Sequence, residues 1–185
     1  MSQDTPEPTA PDAAPAGAGA ATPQALFDRL ATLGLRVSTI THPPVFTVEE
    51  AKTVRGPLPG AHTKNLFVRN KKGRMWLVCC LEDREVDLKA LGTALGAGRL
   101  SFASAERLNQ YLGVVPGAVT PFAAINDTEG AVTLALDRRM LDSYETLHAH
   151  PLDNAMTTAI APRDLVAFLE AVGHPPLYLD DDAFG

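Results

Sequence analysis

Three stretches of this chain have residue types and spacings that a plain hydrophobic core does not call for. The first is Lys64-Asn65, within Gly60-Ala-His-Thr-Lys-Asn-Leu-Phe-Val-Arg69. A lysine held where a loop enters a strand is a good anion anchor, because its position is set before any ligand arrives. An ordinary solvated lysine on an edge strand has the same local sequence. The second is Gly117-Ala118-Val119-Thr120-Pro121, which follows the turn Leu112-Gly-Val-Val-Pro116. Such a loop can offer backbone N–H groups to a ligand, since glycine allows close approach and proline stiffens the exit. Taken alone, it is equally a connector. The third is His148-Ala-His150-Pro151-Leu152-Asp-Asn154, whose two histidines face one side in an extended segment.

Several chemistries lack their residues. A paired-histidine metal site needs further ligands, and no HExxH, cysteine or carboxylate partner stands at a standard spacing, so a satisfied structural role is the plainer reading of either histidine. There is no serine nucleophile elbow, phosphate-binding Walker loop or dinucleotide fingerprint. Cys79 and Cys80 are adjacent, so on a strand they point to opposite faces and suit neither a disulfide nor a chelate. They read as buried reduced thiols in a reducing cytoplasm.

The elements that must position these residues follow from patterning. The 185 residues are 45% hydrophobic and 21% charged, an ordinary globular composition with room for one sizeable core. No apolar run approaches a bilayer span, so no membrane is expected. A formal net charge of −6 argues against unspecific coating of nucleic acid. Basicity is local instead. Lys64, Arg69, Lys71, Lys72 and Arg74 fall within eleven residues, which fits a basic site and a solvated hairpin tip about equally.

Residues 1–21, rich in Ala and Pro and without Lys or Arg, read as a disordered tail that is neither a secretory signal nor a transit peptide. Residues 22–185 read as the domain. Thr22-Pro23 caps a helix that carries Leu26, Phe27, Leu30 and Leu33 and stops at Gly34. Val37–Thr41 reads as a strand, and Thr47–Glu50 as a capping box opening a helix to about Val54. Leu66–Val68 and Met75–Leu81 form a hairpin around Asn70–Gly73. Asp87 and Ser104 cap further helices on either side of a strand at Leu100–Ala103. Phe122–Ile125 and Ala131–Leu136 read as a second hairpin, Pro162 opens the last helix, and Asp180–Asp182 reads as a solvated tail. Hairpins mixed with helices predict a single α+β domain, with a mixed, largely antiparallel sheet flanked by helices.

Lys64-Asn65-Leu-Phe, Gly117-Ala-Val-Thr-Pro121-Phe, Asn126-Asp127 and His150-Pro151-Leu152-Asp-Asn154, in this order, resemble the YbaK/prolyl-tRNA-editing family. More narrowly, they resemble freestanding alanyl-tRNA(Pro) deacylases, which are similar to the insertion domain of bacterial prolyl-tRNA synthetases. The resemblance spans roughly Pro23 to Tyr178. It implies cytoplasmic hydrolysis in trans of alanine mischarged onto tRNA(Pro), with no metal or cofactor. The partner implied is the tRNA acceptor end, with prolyl-tRNA synthetase as a candidate second partner.

By that resemblance Lys64 holds the terminal adenosine phosphate and Gly117 lies against the ester. His150 shapes the small pocket, and Asn65, Ala118, Val119, Thr120, Pro121, Pro151, Leu152 and Asn154 line the substrate. An aminoacyl ester is already activated, so positioning, oxyanion stabilisation and admission of water suffice. Cys-tRNA(Pro) hydrolysis and a non-catalytic aminoacyl-tRNA or nucleic-acid binding module are the other functions this resemblance leaves open.

Overall fold

The computed structural model describes residues 19–45, Thr53 and 58–185. The capping box at Thr47–Glu50, the helix it opens and residues 1–18 of the leader lie outside the described residues. Chain order is helix α1 (Pro23–Thr32), strands β1 (Val37–Thr41), β2 (Ala61–Asn70) and β3 (Met75–Leu81), then helix α2 (Leu88–Ala94), β4 (Leu100–Phe102) and α3 (Ala105–Leu112). A 3-10 turn (Pro121–Asn126), β5 (Val132–Asp137), α4 (Arg138–Asp142), β6 (Leu147–Ala149) and β7 (Met156–Ile160) follow. Helix α5 (Pro162–Ala171), β8 (Leu177–Leu179) and a terminal 3-10 turn (Asp181–Ala183) complete it.

Among the described residues the strands form one eight-stranded sheet in the order β1-β7-β6-β2-β3-β5-β8, with β4 also paired to β2. Pairings β1–β7, β6–β7, β2–β3 and β2–β4 are antiparallel, and β2–β6, β3–β5 and β5–β8 are parallel. The architecture is therefore α+β with a mixed sheet, antiparallel by a narrow margin.

Strand β3 explains why its sequence is nearly all apolar. Both of its faces are covered, so every residue from Met75 to Leu81 is buried. Leu77 and Cys79 join the larger core with Leu26 and Leu30 of α1, Phe122, and Phe168 of α5. Trp76, Val78 and Cys80 join a second core with Val68, Leu91 of α2, Leu179 and Phe184. The two cysteines are thus free thiols in different cores. Local chemistry sets the helix starts: Thr22 accepts from Ala25, Asp87 from Lys89 and Ala90, and Ser104 from Arg107.

Three expectations are corrected. Phe122–Ile125 is part of a 3-10 turn, because Thr120 caps it and Pro121 fixes its first dihedral. Consequently β5 makes no hairpin with it and pairs in parallel with β3 and β8. Asp127 closes the intervening turn by accepting from the N–H groups of Ala131 and Val132. Lys64 and Asn65 lie inside β2, since the strand begins at Ala61 and not at Leu66. The acidic run Asp180–Asp182 is solvated but not a free tail, since Asp180 pairs with Arg138 and Asp181 with Arg84. Just ahead of α1, the Ala21 N–H donates to Asn126 Oδ1 at 2.7 Å.

Candidate functional site

Strand period places Lys64 and Asn65 on opposite faces, opposite Cys80 and Cys79 respectively. The Lys64 ammonium donates to the backbone carbonyl of Arg84. Burial pushes the neighbouring Cys80 thiol up to about 12; the nearby Lys64 charge opposes that shift and Asp137 adds to it. On the other face Asn65 Nδ2 donates to the Val119 carbonyl at 2.9 Å, and its Oδ1 is buried without a hydrogen-bond partner. Asn65 thereby fixes the Gly117–Pro121 loop to the strand. Gly117 has φ +92°, a backbone that a side chain rarely tolerates. Ala118, Thr120 and Pro121 are buried, and the Ala118 N–H donates to Val115 O at 3.0 Å.

What joins the two faces is a notch in the sheet. One edge of β2 is covered by β3 over Thr63–Arg69. The other edge pairs with β6 at Ala61 and His62 and with β4 from Val68 to Asn70. Among the described residues no strand pairs with that edge between Thr63 and Phe67, where the Ala103 N–H just past β4 donates to Phe67 O at 2.9 Å. Lys64 and Asn65 flank this interval from above and below. Strand β6 ends at Ala149, one residue past its last rung on β2, and His150 follows directly. Two of the three stretches are thus tied to the first half of β2, the Gly117–Pro121 loop through Asn65 and the His148 segment through the β6 pairing at Ala61 and His62.

His150 Nδ1–H donates to the Met156 carbonyl at 2.8 Å, which leaves the lone pair on Nε2. Burial holds its imidazole below the ordinary range; the Met156 carbonyl opposes the shift and His42 adds to it. His148 does not join it. Its ring stacks on His62 at 4.6 Å, and its Nε2–H donates to Pro59 O at 2.8 Å. No group of three metal-ligating side chains occurs among the described residues.

Around His150 the chain is stiff. Pro151 is buried, and Leu152 has φ +69°, the single positive value on a described non-glycine residue. Asn154 Nδ2 donates to Val45 O at 2.9 Å, and Val45 N–H returns to Asn154 O. Asn154 thus clips two loops together. One neighbour went unread in the sequence: the His42 ring lies 6.3 Å from His150, held by Thr157 and the Pro43 carbonyl. Its only signal in the sequence is a histidine directly before Pro43-Pro44.

About 20 Å along β2 from Lys64, six residues at strand rise, the hairpin tip is basic. Two cavities of about 380 and 370 Å³ share Gly98 and Arg99. Lys71, Lys72 and Arg74 line one, Lys89 lines the other, and neither lining contains a carboxylate. Buried Asn70 organises the tip: Oδ1 accepts from Lys72 and Arg74 N–H, and Nδ2 donates to Ala97 O. None of the described helices is long and apolar enough to cross a membrane.

A single α+β domain with these motifs in this order defines a class, that of the tRNA-editing domains. Residues 42–168 match the aminoacyl-tRNA editing domain family, and the chain belongs to it. It is 42% identical over 158 residues to "Prolyl-tRNA synthetase associated domain-containing protein 1" of Danio rerio, covering 85% of this chain and 86% of that one. It is 36% identical over 152 residues to "Prolyl-tRNA editing protein ProX" of Acetoanaerobium sticklandii, covering 82% and 92%. The fold matches the crystal structure of "a putative trans-editing enzyme for prolyl tRNA synthetase" with a TM-score of 0.66, at 22% identity over 85% of this chain and 94% of that one.

Proposed function

We propose that this protein is a trans-acting deacylase that hydrolyses the ester of alanine mischarged onto tRNA(Pro). The observation that carries the reading is the notch in β2, with a cation on one side and the Asn65-anchored loop on the other. Lys64 takes the phosphate of the terminal adenosine, as a point charge suits. The Asn65 Oδ1 acceptor takes the α-ammonium of the amino acid. Backbone N–H groups of the Gly117–Pro121 loop stabilise the oxyanion formed as water adds to the ester carbonyl. The acyl C–O bond then breaks, the amino acid leaves, and the ribose oxygen receives the proton.

His150 serves as a wall in this reading. Its depressed proton affinity keeps it neutral, and with Pro151 and Leu152 it bounds a space sized for a methyl group. Such a pocket rejects a pyrrolidine ring sterically, which is a fine sieve. The basic cavities at the hairpin tip supply the attraction for an RNA backbone that a net charge of −6 does not. The deciding experiment is single-turnover deacylation of Ala-, Cys-, Ser-, Thr- and Pro-tRNA(Pro). Serine and threonine belong in the panel because a 30% identical relative from Escherichia coli is named "Multifunctional Ser/Thr-tRNA deacylase ProXp-y". Fastest turnover of Ala-tRNA(Pro), with Pro-tRNA(Pro) spared, is the expected result. No turnover of any of them favours a binding module.

A further inference from the structure

The residue that receives the Lys64 ammonium is itself held by the far end of the chain. Arg84 lies in the turn after β3, where its N–H donates to Leu81 O at 3.1 Å. Its carbonyl accepts from Lys64. Its guanidinium is gripped on three sides. Asp181 of the terminal 3-10 turn accepts from Nη2, and the Phe184 ring centroid lies 4.4 Å from Cζ. The fully buried carboxylate of Asp137, at the end of β5, stands 3.6 Å from Nε. The Phe184 carbonyl in turn accepts from the N–H of Asp87, so the terminal segment is clipped to the same turn twice.

These contacts are unequal. At 3.6 Å the Asp137 contact is electrostatic only, and both Asp137 Oδ2 and Arg84 Nε are buried without a hydrogen-bond partner. Asp181 and Phe184 therefore set where the guanidinium rests, against the pull of Asp137. Whatever part of a guanidinium shift reaches the Arg84 backbone, held by its N–H to Leu81 O, carries the carbonyl and the Lys64 amine with it. A displacement near 1 Å at an anchoring group is enough to cost substrate affinity.

We propose that Arg84 is a positioning residue for Lys64 and that Asp181 and Phe184 are the clasp that holds it. The inference rests on the reading of Lys64 as the phosphate anchor. Loss of the clasp lets Arg84 swing toward Asp137 and draws the ammonium away from the notch. Binding then weakens while the ester-contacting loop, anchored separately by Asn65, keeps its geometry.

The test uses the full chain with Asp181→Asn, Phe184→Leu and Lys64→Ala, singly and with Asp181→Asn combined with Lys64→Ala. Deacylation of Ala-tRNA(Pro) is followed for kcat and KM separately, and the Lys64 ammonium by 15N NMR at low temperature. Asp181→Asn and Phe184→Leu are expected to raise KM by about three- to tenfold with kcat within about twofold. The Lys64 resonance should shift, and Asp181→Asn should add nothing to Lys64→Ala. An unmoved resonance with unchanged KM, or additive losses in the double variant, would overturn the positioning role while the anchor stands. Full activity in Lys64→Ala would overturn the anchor reading and the positioning role together.

Discussion

Asn65 Nδ2 and the Val119 carbonyl, 2.9 Å apart, are the one described hydrogen bond tying β2 to the Gly117–Pro121 loop. A strand in the middle of a rigid sheet thereby sets the height of a loop with little regular structure of its own. Asn65→Ala leaves the Val119 carbonyl unsatisfied and is expected to cost about 1–3 kcal/mol of stability. Deacylation should fall by more than the melting temperature explains, because loop and substrate lose the same partner. A thermal melt beside single-turnover rates checks it. Unchanged rates would show that the loop holds its own shape.

Lys64→Ala is expected to remove one charge-assisted phosphate contact, worth about 1.5–3 kcal/mol of transition-state stabilisation, or roughly ten- to a hundred-fold or more in kcat/KM. Steady-state kinetics with circular dichroism as the folding control decide it. Wild-type kcat/KM in a folded variant sinks the assignment.

Gly117→Ala places a side chain at φ +92°. The backbone strain alone is expected to cost about 1–2 kcal/mol. If the glycine backbone lies against the ester, activity should drop well beyond that figure. A loss of rate that merely tracks the loss of stability makes Gly117 a connector.

His150 gives a prediction with a definite sign. Its folded-state pKa lies below the ordinary 6.5, chiefly through burial, so the fold favours the neutral ring. The stability this contributes is present above about pH 6.5 and is lost as pH falls toward the folded value, with a slope of at most about 1.4 kcal/mol per pH unit. The drop in melting temperature below that pH should be smaller in His150→Ala than in the wild type. Deacylation should vary less between about pH 6.5 and 8 than it would with a histidine of ordinary pKa, since burial moves the ring's titration to lower pH. His150→Ala should also broaden turnover toward larger amino acids. Total loss on every substrate, with a steep wild-type profile, would make His150 an acid–base group.

Much of this fold is written locally. Thr22-Pro23, Asp87 and Ser104 announce their helices, and the unbroken apolar run of Met75–Leu81 announces a strand buried on both faces. Phe122–Ile125 misleads because a short apolar run has no period to separate strand from 3-10 turn. The parallel pairing of β3 with β5 depends on residues more than fifty positions apart, and β6 and β8 are three residues each. The split between Lys64 and Asn65 becomes visible only once the strand is known to start at Ala61. Arg84 carries no local mark at all, for Asp181 is 97 residues away from it.

The notch in β2 also bears on strand-to-strand aggregation. An unpaired strand edge is a template on which another chain can add, and long exposed edges drive aggregation. Among the described residues β6 closes one end and β4 the other, and the Ala103 N–H already donates to Phe67 O at 2.9 Å, so the interval without a paired strand is short. A foreign strand finds room for only a few rungs of ladder, with the Lys64 charge beside them. A small ligand, or the end of a nucleic acid, meets no such limit. So short a gap gives a neighbouring copy little to pair with, and variants that lengthen it by melting β4 should gain a tendency to aggregate.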